Sequence, residues 1–233
     1  MLKSEDVLKC LEGPIEEAPG DVQANPNGNG QPVNPNIVTF VKRGPDAAGF
    51  ICVTDKGGNS GKIYTCIIDT YVESPVDFFE LIQLLYTASA NDTIHIKIYT
   101  YGGWVETGMN IIQAIYNSKA RVITEAIGIC ASIGAVIWCC GKERIITDSA
   151  SLMFHMPSGF AFGKSQDIAE ENTQISEWFK ELLTRITVGI LDDTDIDRVV
   201  NKRQDLFVLG ETINHRISAY KAGIVNEEGK ANA

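Results

Sequence analysis

Residues 121–140 read RVITEAIGICASIGAVIWCC, which is a strand, a turn of small residues and a helix in succession. The β-branched residues predict a strand from Arg121 to Ala126, and the apolar run predicts a helix from Ser132 to Cys140. Glycine, alanine and serine crowd the turn between them. The hydroxyl of Ser132 is therefore expected at a helix N-terminus, where free N–H groups and the helix dipole favour negative charge.

The alternation of strands and helices continues on both sides of this stretch. A hairpin is predicted at 37–41 and 50–53, and further strands at 63–68, 95–99, 144–147, 152–154 and 206–209. Helices are predicted after Ser74-Pro75, at 105–116, near 196–201 and at 211–222. Strands that alternate with helices of about 10 to 15 residues indicate an α/β fold with largely parallel pairing.

A longer helix is predicted from about residue 164 to 190. Its apolar residues follow one another at steps of 7, 4, 3, 4 and 4 and are Ile168, Ile175, Phe179, Leu182, Ile186 and Ile190. This spacing makes a single apolar stripe along the helix. We expect the stripe to be buried, either within its own domain or against another subunit.

Residues 1–36 differ in composition from the rest of the chain. Residues 19–36 read PGDVQANPNGNGQPVNPN and contain four of the eight prolines, with almost nothing that could be buried. Such a composition is typical of a flexible linker or tail. We therefore expect a flexible N-terminal tail at 1–36 and one main domain at 37–233.

The charge of the chain argues against two classes of partner. The 233 residues include 30 Asp and Glu against 20 Lys and Arg, a formal net charge of -10, with no cluster of basic residues. Nucleic acids and anionic membranes are bound through such clusters, so neither is expected as a partner. No apolar run reaches the roughly 18 residues of a membrane helix, and charges stand where a signal peptide would be apolar. A cytoplasmic location is expected.

The cysteines give no sign of a metal site. The six of them form no C-x-x-C pair and no Cys/His spacing that would suit zinc, so we expect reduced, mostly buried thiols and no metal or other cofactor. Two alternatives remain for the small-residue turn. Cys130 could be a thiol nucleophile, and Ser132 could be a plain helix N-cap.

The three histidines are not equivalent. His95 lies in an alternating strand on the face opposite the apolar residues, and His215 lies in an amphipathic helix, which favours structural or surface roles. His155 ends an apolar strand and precedes Met156-Pro157, where regular structure must stop. Functional sites in α/β folds are usually built at strand ends, so His155 is the candidate base.

A second small-residue turn, Gly102-Gly103, follows a strand and opens a helix. Such a turn can present backbone N–H groups to an anion. It lacks the spacing of a dinucleotide-binding motif.

Taken in order, these features resemble the proteolytic subunit of Clp protease. The matching segments are the Gly102-Gly103 turn, ASIGA at 131–135, MFHMP at 153–157, Gly163 with Asp167, QDLF at 204–207 and YKAGIV at 220–225. The resemblance covers roughly residues 61 to 228. It implies the ClpP/crotonase-type ββα spiral, with a long protruding handle helix after the histidine.

The resemblance also implies roles for individual residues. Ser132 would be the nucleophile, His155 the general base and then acid, and Asp205 the carboxylate that orients the imidazole. The backbone N–H groups of Gly103 and Ile133 would form the oxyanion hole. Spacing alone does not choose Asp205 over the carboxylates at 148 and 167.

The implied activity is that of a serine endopeptidase that cleaves unfolded polypeptides inside a self-compartmentalised homo-oligomer. Family members form heptameric rings, stack them as a tetradecamer through the long helix, and receive chains from an AAA+ ATPase unfoldase. This chain departs from the family in three places. The loop between Ser132 and His155 is about two residues shorter than is usual. Tyr99-Thr100-Tyr101 replaces the usual Asn-Ser-Pro, and residues 1–60 do not resemble the family's N-terminal segment.

Two further interpretations stay open at this point. One is a viral capsid or scaffold maturation protease of the same fold. The other is a non-proteolytic crotonase-fold protein, either an enzyme acting on CoA esters or an inactive ring partner.

Overall fold

The computed structural model describes residues 38–41, 51–55, 61–158 and 165–223. Its strands are β1 (Val38–Val41), β2 (Ile51–Asp55), β3 (Lys62–Ile68), β4 (Thr93–Thr100), β5 (Arg121–Ala131), β6 (Glu143–Ile146), β7 (Ser151–Phe154) and β8 (Leu206–Leu209). Its helices are α1 (Phe79–Thr87), after a 3-10 turn at Pro75–Phe78, α2 (Val105–Asn117), α3 (Ile133–Cys139), α4 (Ser165–Ile186), α5 (Asp193–Val200) and α6 (Gly210–Lys221). The predicted α/β fold is confirmed. The predicted tail at 1–36 lies outside the described residues, so the domain boundary stays a prediction.

The strands form one mixed sheet in the order β1-β2-β3-β4-β5-β7-β8, with β6 also paired to β5. The pairs β1–β2, β2–β3 and β7–β8 are antiparallel, whereas β3, β4 and β5 run parallel. β5 is long enough to pair with two strands in succession. Its residues 123–126 pair with β6 and its residues 129–131 pair with β7. The end of β5 is therefore held beside the end of β7.

Isoleucine fills the buried face of the central strands. Ile94, Ile96 and Ile98 alternate along β4 and are fully buried in the same core as apolar residues of α1, α2 and α3. Trp138 of α3 is also fully buried, and its indole N–H donates to the carbonyl of Ile145 at 2.8 Å. A buried indole needs such an acceptor because an unpaired donor in the core would be costly.

The opposite face of the same strands carries charge. His95 of β4 lies on this face, and its Nε2 is 2.9 Å from Oε2 of Glu125 on β5. Lys97 is 3.8 Å from the same carboxylate. His95 therefore has Glu125 as its partner within the sheet, away from the two small-residue turns. Within the described ranges, no helix combines the length and the apolar character needed to cross a membrane.

The long helix is shorter than the sequence predicts. α4 ends at Ile186, and the predicted continuation to residue 190 is wrong because Gly189 takes a φ of 73°, which a helix does not contain. Phe179, Leu182 and Ile186 of the stripe are buried within the chain. Ile168 and Ile175 are only partly buried. The second half of α4 thus packs on its own domain, and the first half has little to pack on among the described residues.

Asp92 connects the starts of the parallel strands. Its carboxylate accepts the N–H of Lys62 at 2.8 Å, and the N–H and hydroxyl of Ser89 at 2.7 and 2.8 Å. Its carbonyl accepts the N–H of Arg121 at 3.0 Å. Burial alone would raise the pKa of this carboxyl, but the hydrogen bonds outweigh it and hold the pKa below its usual value. Asp92 therefore fixes how β3 and β5 begin and how the chain continues after the end of α1.

We expect Asp92→Asn to lower the free energy of unfolding by about 1–3 kcal/mol at neutral pH, because the amide group cannot accept all of these donors. A carboxylate with a lowered pKa stabilises the fold above its unfolded pKa, and this contribution is lost as the pH falls through the folded pKa. The difference between wild type and Asp92→Asn should therefore shrink towards about pH 3. Urea unfolding at both pH values measures it.

Asp69→Asn is the matched control, because Asp69 is exposed. A pH-independent gap between wild type and Asp92→Asn would contradict the assignment of the stabilisation to the ionised carboxylate.

Candidate active site

Ser132 stands alone between the end of β5 and the start of α3. Its φ of 57° and ψ of -128° are strained for a residue with a side chain, at a cost of about 1–3 kcal/mol. The backbone is held from both sides. Its N–H donates to the carbonyl of Met153 at 2.8 Å, and its carbonyl accepts the N–H of Ala135 at 3.0 Å. The hydroxyl makes no capping hydrogen bond to α3, so the plain N-cap role is wrong.

His155 follows β7 and reaches the Ser132 hydroxyl. Nε2 of His155 lies 2.7 Å from Oγ of Ser132, across 23 residues of sequence. The β5–β7 ladder sets up this contact, because it pairs Ala131 with Met153. Ser132 directly follows Ala131, and His155 stands two residues after Met153. The structure thus brings together two of the predicted site residues at hydrogen-bonding distance.

The Gly102-Gly103 turn packs directly against Ser132. A Cβ added to Gly102, which has a φ of 105°, would lie 2.6 Å from Cβ of Ser132. Gly103 forms a parallel bridge with Val72, whose N–H donates to Gly102 at 2.8 Å and whose carbonyl accepts from Trp104 at 2.7 Å. In such a bridge the N–H and carbonyl of the middle residue point away from the partner.

The two predicted oxyanion donors are therefore available. In the turns and caps of the described residues, no group accepts a hydrogen bond from the N–H of Gly103 or from the N–H of Ile133. Ile133 is the first residue of α3, where N–H groups have no partner within the helix.

Thr100 fixes the position of this turn, a role the sequence did not suggest. Its side chain is 3% exposed. The hydroxyl donates to the carbonyl of Thr70 at 2.6 Å and accepts the N–H of Gly102 at 3.1 Å. The only sequence signal was the replacement of the family's Asn-Ser-Pro segment, which does not reveal either partner.

Asp205 lies beside His155 in register but does not bond to it. β7 and β8 pair Phe154 with Leu206, so His155 and Asp205 are the next positions along the two chains. Asp205 is exposed, and within the described part of the chain it makes no hydrogen bond with the imidazole. Of the alternatives, Asp148 accepts a hydrogen bond from Asn214 at 2.9 Å, and Asp167 is exposed near the start of α4.

A small apolar pocket with a cavity volume of about 20 Å³ opens beside the Ser132–His155 pair. Apart from these two residues, its walls are apolar or aromatic and are formed by Val105, Ile133, Val136, Pro157, Trp178, Phe179 and Leu182. The sequence indicated only that Phe179 and Leu182 belong to a buried stripe. It could not show that the stripe forms a pocket at the site.

The alternative nucleophile, Cys130, is unsuited to the role. Its side chain is fully buried, and burial raises the pKa of the thiol far above its usual value. Because the thiolate is the reactive form, this thiol is inert at neutral pH. Among the described residues, no group of His, Cys, Asp and Glu side chains is arranged to hold a metal ion.

Comparison with known proteins identifies the family of the chain. The Clp protease family model matches residues 67–200. The chain is 34% identical over 134 residues to the ATP-dependent Clp protease proteolytic subunit of Carsonella ruddii (strain PV), which covers 53% of this chain and 69% of that protein. It is 26% identical over 136 residues to ATP-dependent Clp protease proteolytic subunit 1 of Salinibacter ruber (strain DSM 13855 / M31), covering 57% of this chain and 58% of that protein.

The matched region includes the glycine turn, Ser132 and His155, and it ends before Asp205.

We expect Thr100→Val to slow the reaction of Ser132 with a fluorophosphonate by about 10- to 100-fold, because the glycine turn loses the bond that positions its N–H donor. Thr100→Ser keeps the hydroxyl and should react at nearly the wild-type rate. Intact-protein mass spectrometry over time gives the rate constants.

Thr107→Val is the matched control, since its hydroxyl donates to the carbonyl of Glu73 at 2.6 Å in the loop beside the turn. If Thr107→Val slows the reaction as much as Thr100→Val, the effect reflects loop stability and the positioning role of Thr100 is wrong.

Proposed function

The chain belongs to the Clp protease family and is a ClpP-type peptidase, and from this premise we propose that it is a serine endopeptidase with a Ser-His-Asp triad that cleaves unfolded polypeptides. The observation that carries the proposal is the 2.7 Å contact between Oγ of Ser132 and Nε2 of His155. A serine nucleophile needs a base at this distance, because its own hydroxyl is too weakly acidic to ionise at neutral pH.

In the proposed first step, Nε2 of His155 takes the proton of the Ser132 hydroxyl as Oγ attacks the carbonyl carbon of the substrate. The negative charge that develops on the carbonyl oxygen is stabilised by the N–H groups of Gly103 and Ile133. Each such donor is worth about 3–4 kcal/mol of barrier in serine proteases. The imidazolium then protonates the leaving amine, and an acyl-enzyme remains on Ser132.

In the second step, water attacks the acyl-enzyme with His155 again acting as base, and the carboxylic acid product leaves. We assign Asp205 to Nδ1 of His155. Its support is the antiparallel β7–β8 register: Phe154 pairs with Leu206, so Asp205, directly before β8, stands opposite His155, directly after β7. A hydrogen bond there would hold the imidazole in the tautomer that leaves Nε2 free to accept a proton.

The apolar pocket supports a preference for apolar side chains. A substrate carbonyl placed at Ser132 would have its own residue's side chain next to Val105, Phe179 and Leu182. The enclosed volume is small, so an apolar side chain of the substrate would lie against these walls and be buried only in part. Folded proteins keep such side chains in their cores, so this preference fits unfolded polypeptide substrates.

We also propose that the chain works as a homo-oligomer of heptameric rings stacked as a tetradecamer. The first half of α4 supports this, because Ile168 and Ile175 are only partly buried in the single chain. An apolar helix face of this kind is usually covered by a partner. Docking of an AAA+ ATPase and a cytoplasmic location remain proposals that rest on the family.

The contact between Ser132 and His155 favours the peptidase over a non-proteolytic crotonase-fold protein. Enzymes of the latter kind would need oxyanion donors but not an activated hydroxyl. No feature of the described residues favours a capsid maturation protease specifically.

We expect a fluorophosphonate to modify Ser132 of the purified chain, and His155→Ala to slow this modification by about 10²- to 10⁴-fold, the usual contribution of a general base. Peptide mapping by mass spectrometry locates the label. His215→Ala is the matched control, because His215 is exposed on α6. The proposal fails if the assembled protein is not labelled at Ser132, or if both histidine variants react alike.

We expect Asp205→Asn to lower kcat for a fluorogenic peptide with an apolar residue before the scissile bond by about 10⁴-fold, with a smaller change in KM, because the imidazole loses its orienting carboxylate. Asp148→Asn and Asp167→Asn serve as comparisons. A near-wild-type kcat for Asp205→Asn, with a large loss in one of the others, would move the role to that residue.

A further inference from the structure

A second concave site lies where the C-terminal ends of α2, α3 and α4 meet. It has a volume of about 300 Å³ and shares no lining residue with the pocket beside Ser132. Three cationic side chains line it, those of Lys142, Arg144 and Arg185. Its lining contains no carboxylate among the described residues. In a chain with a net charge of -10, such a concentration of positive charge is unusual.

The other polar groups of this basic pocket do not neutralise it. Burial raises the pKa of the Cys140 thiol to about 11. Loss of solvent around the hydroxyl, together with its hydrogen bond to Sγ of Cys140 at 3.4 Å, raises the pKa of Tyr116 well above its usual value. Both groups are therefore uncharged at neutral pH. No described lining residue carries a negative charge, and only the negative ends of the three helix dipoles offset part of the positive charge.

Two of the cations are held in fixed positions. Nζ of Lys142 donates to the carbonyls of Ser118 and Ala120 at 3.0 and 2.8 Å. One guanidinium nitrogen of Arg144 donates to the carbonyl of Ile186 at 3.2 Å. These bonds leave further N–H groups on both side chains. The donors are thus pre-organised, which lowers the entropy cost of binding an anion.

Arg185 suits the helix dipole by its position, but unlike the other two cations it donates no hydrogen bond to a carbonyl of the described residues. It is exposed in the last turn of α4, and it has no ion pair with a described residue. Glu181, one turn earlier on the same helix, does not pair with it. Its whole planar guanidinium group remains available to a ligand with paired oxygens.

The wall of the pocket beside these cations is apolar. Ile115, Ile186 and Val188 line it together with the ring of Tyr116, which is half-exposed. A ligand that places its anionic group on the cations would therefore lay an apolar or aromatic group against this wall. Pockets of a few hundred Å³ with an apolar wall and a few charged groups are typical sites for small molecules.

We propose that the basic pocket binds a small organic phosphate, with its phosphate on Lys142, Arg144 and Arg185 and its organic group on the apolar wall. A phosphate monoester suits the site better than a single carboxylate, since it offers close to two negative charges and three oxygens to three cations. This inference does not depend on the reaction at Ser132.

Isothermal titration calorimetry of the full chain with phenyl phosphate tests the proposal. We expect binding, and we expect Arg185→Gln to weaken it by about tenfold or more, because a charge-assisted, bidentate contact is lost. Arg198→Gln is the matched control. Arg198 is also an exposed arginine in the last turn of a helix, α5, and it does not line the pocket. Its variant should bind like wild type.

Two further ligands separate the contributions of charge and wall. Inorganic phosphate lacks the ring and should bind more weakly than phenyl phosphate, and phenol lacks the charge and should not bind measurably. The proposal is overturned if wild type does not bind millimolar phenyl phosphate. It is also overturned if Arg185→Gln binds as tightly as wild type, or if Arg198→Gln loses as much affinity.

Discussion

The hydrogen bond from the N–H of Ser132 to the carbonyl of Met153 is the contact on which the rest of the site depends. It continues the β5–β7 ladder one step beyond the last strand residue of β5. Ser132 can therefore hold a positive φ that an isolated turn would not keep. Because Met153 stands two residues before His155, the same bond sets the distance between hydroxyl and imidazole.

The surrounding sheet makes this contact rigid. Asp92 fixes the beginning of β3 and β5, and the long β5 runs from that point to the turn at Ser132. At the other end of the sheet, Thr100 holds the glycine turn, and Gly102 leaves room for Ser132 only because it has no side chain. Ser132 is thus enclosed by backbone on two sides, and its hydroxyl faces His155 and the apolar pocket.

The sequence predicted those parts of the molecule that depend on neighbouring residues. Alternation in β4 and β5, and the small residues before Ser132, are local signals, so the strands, the turn and the candidate pair could be inferred. The end of α4 was placed four residues too late because Ile190 continues the helical spacing of the apolar stripe beyond the true end at Ile186. The role of Thr100 and the pocket at Phe179 arise from contacts between distant segments, which spacing does not encode. Asp205 was chosen by resemblance alone and remains a prediction.

The uneven burial of α4 has a consequence for its local stability. Phe179 and Ile186 anchor the second half in the core, whereas the first half buries little apolar surface. Opening of the first half alone therefore costs far less free energy than opening of the whole helix, and its amide hydrogens should exchange with solvent through local fluctuations. Any surface that covers the first half would remove this difference. The exchange rates of the amide hydrogens along α4 would therefore distinguish the single chain from an assembly.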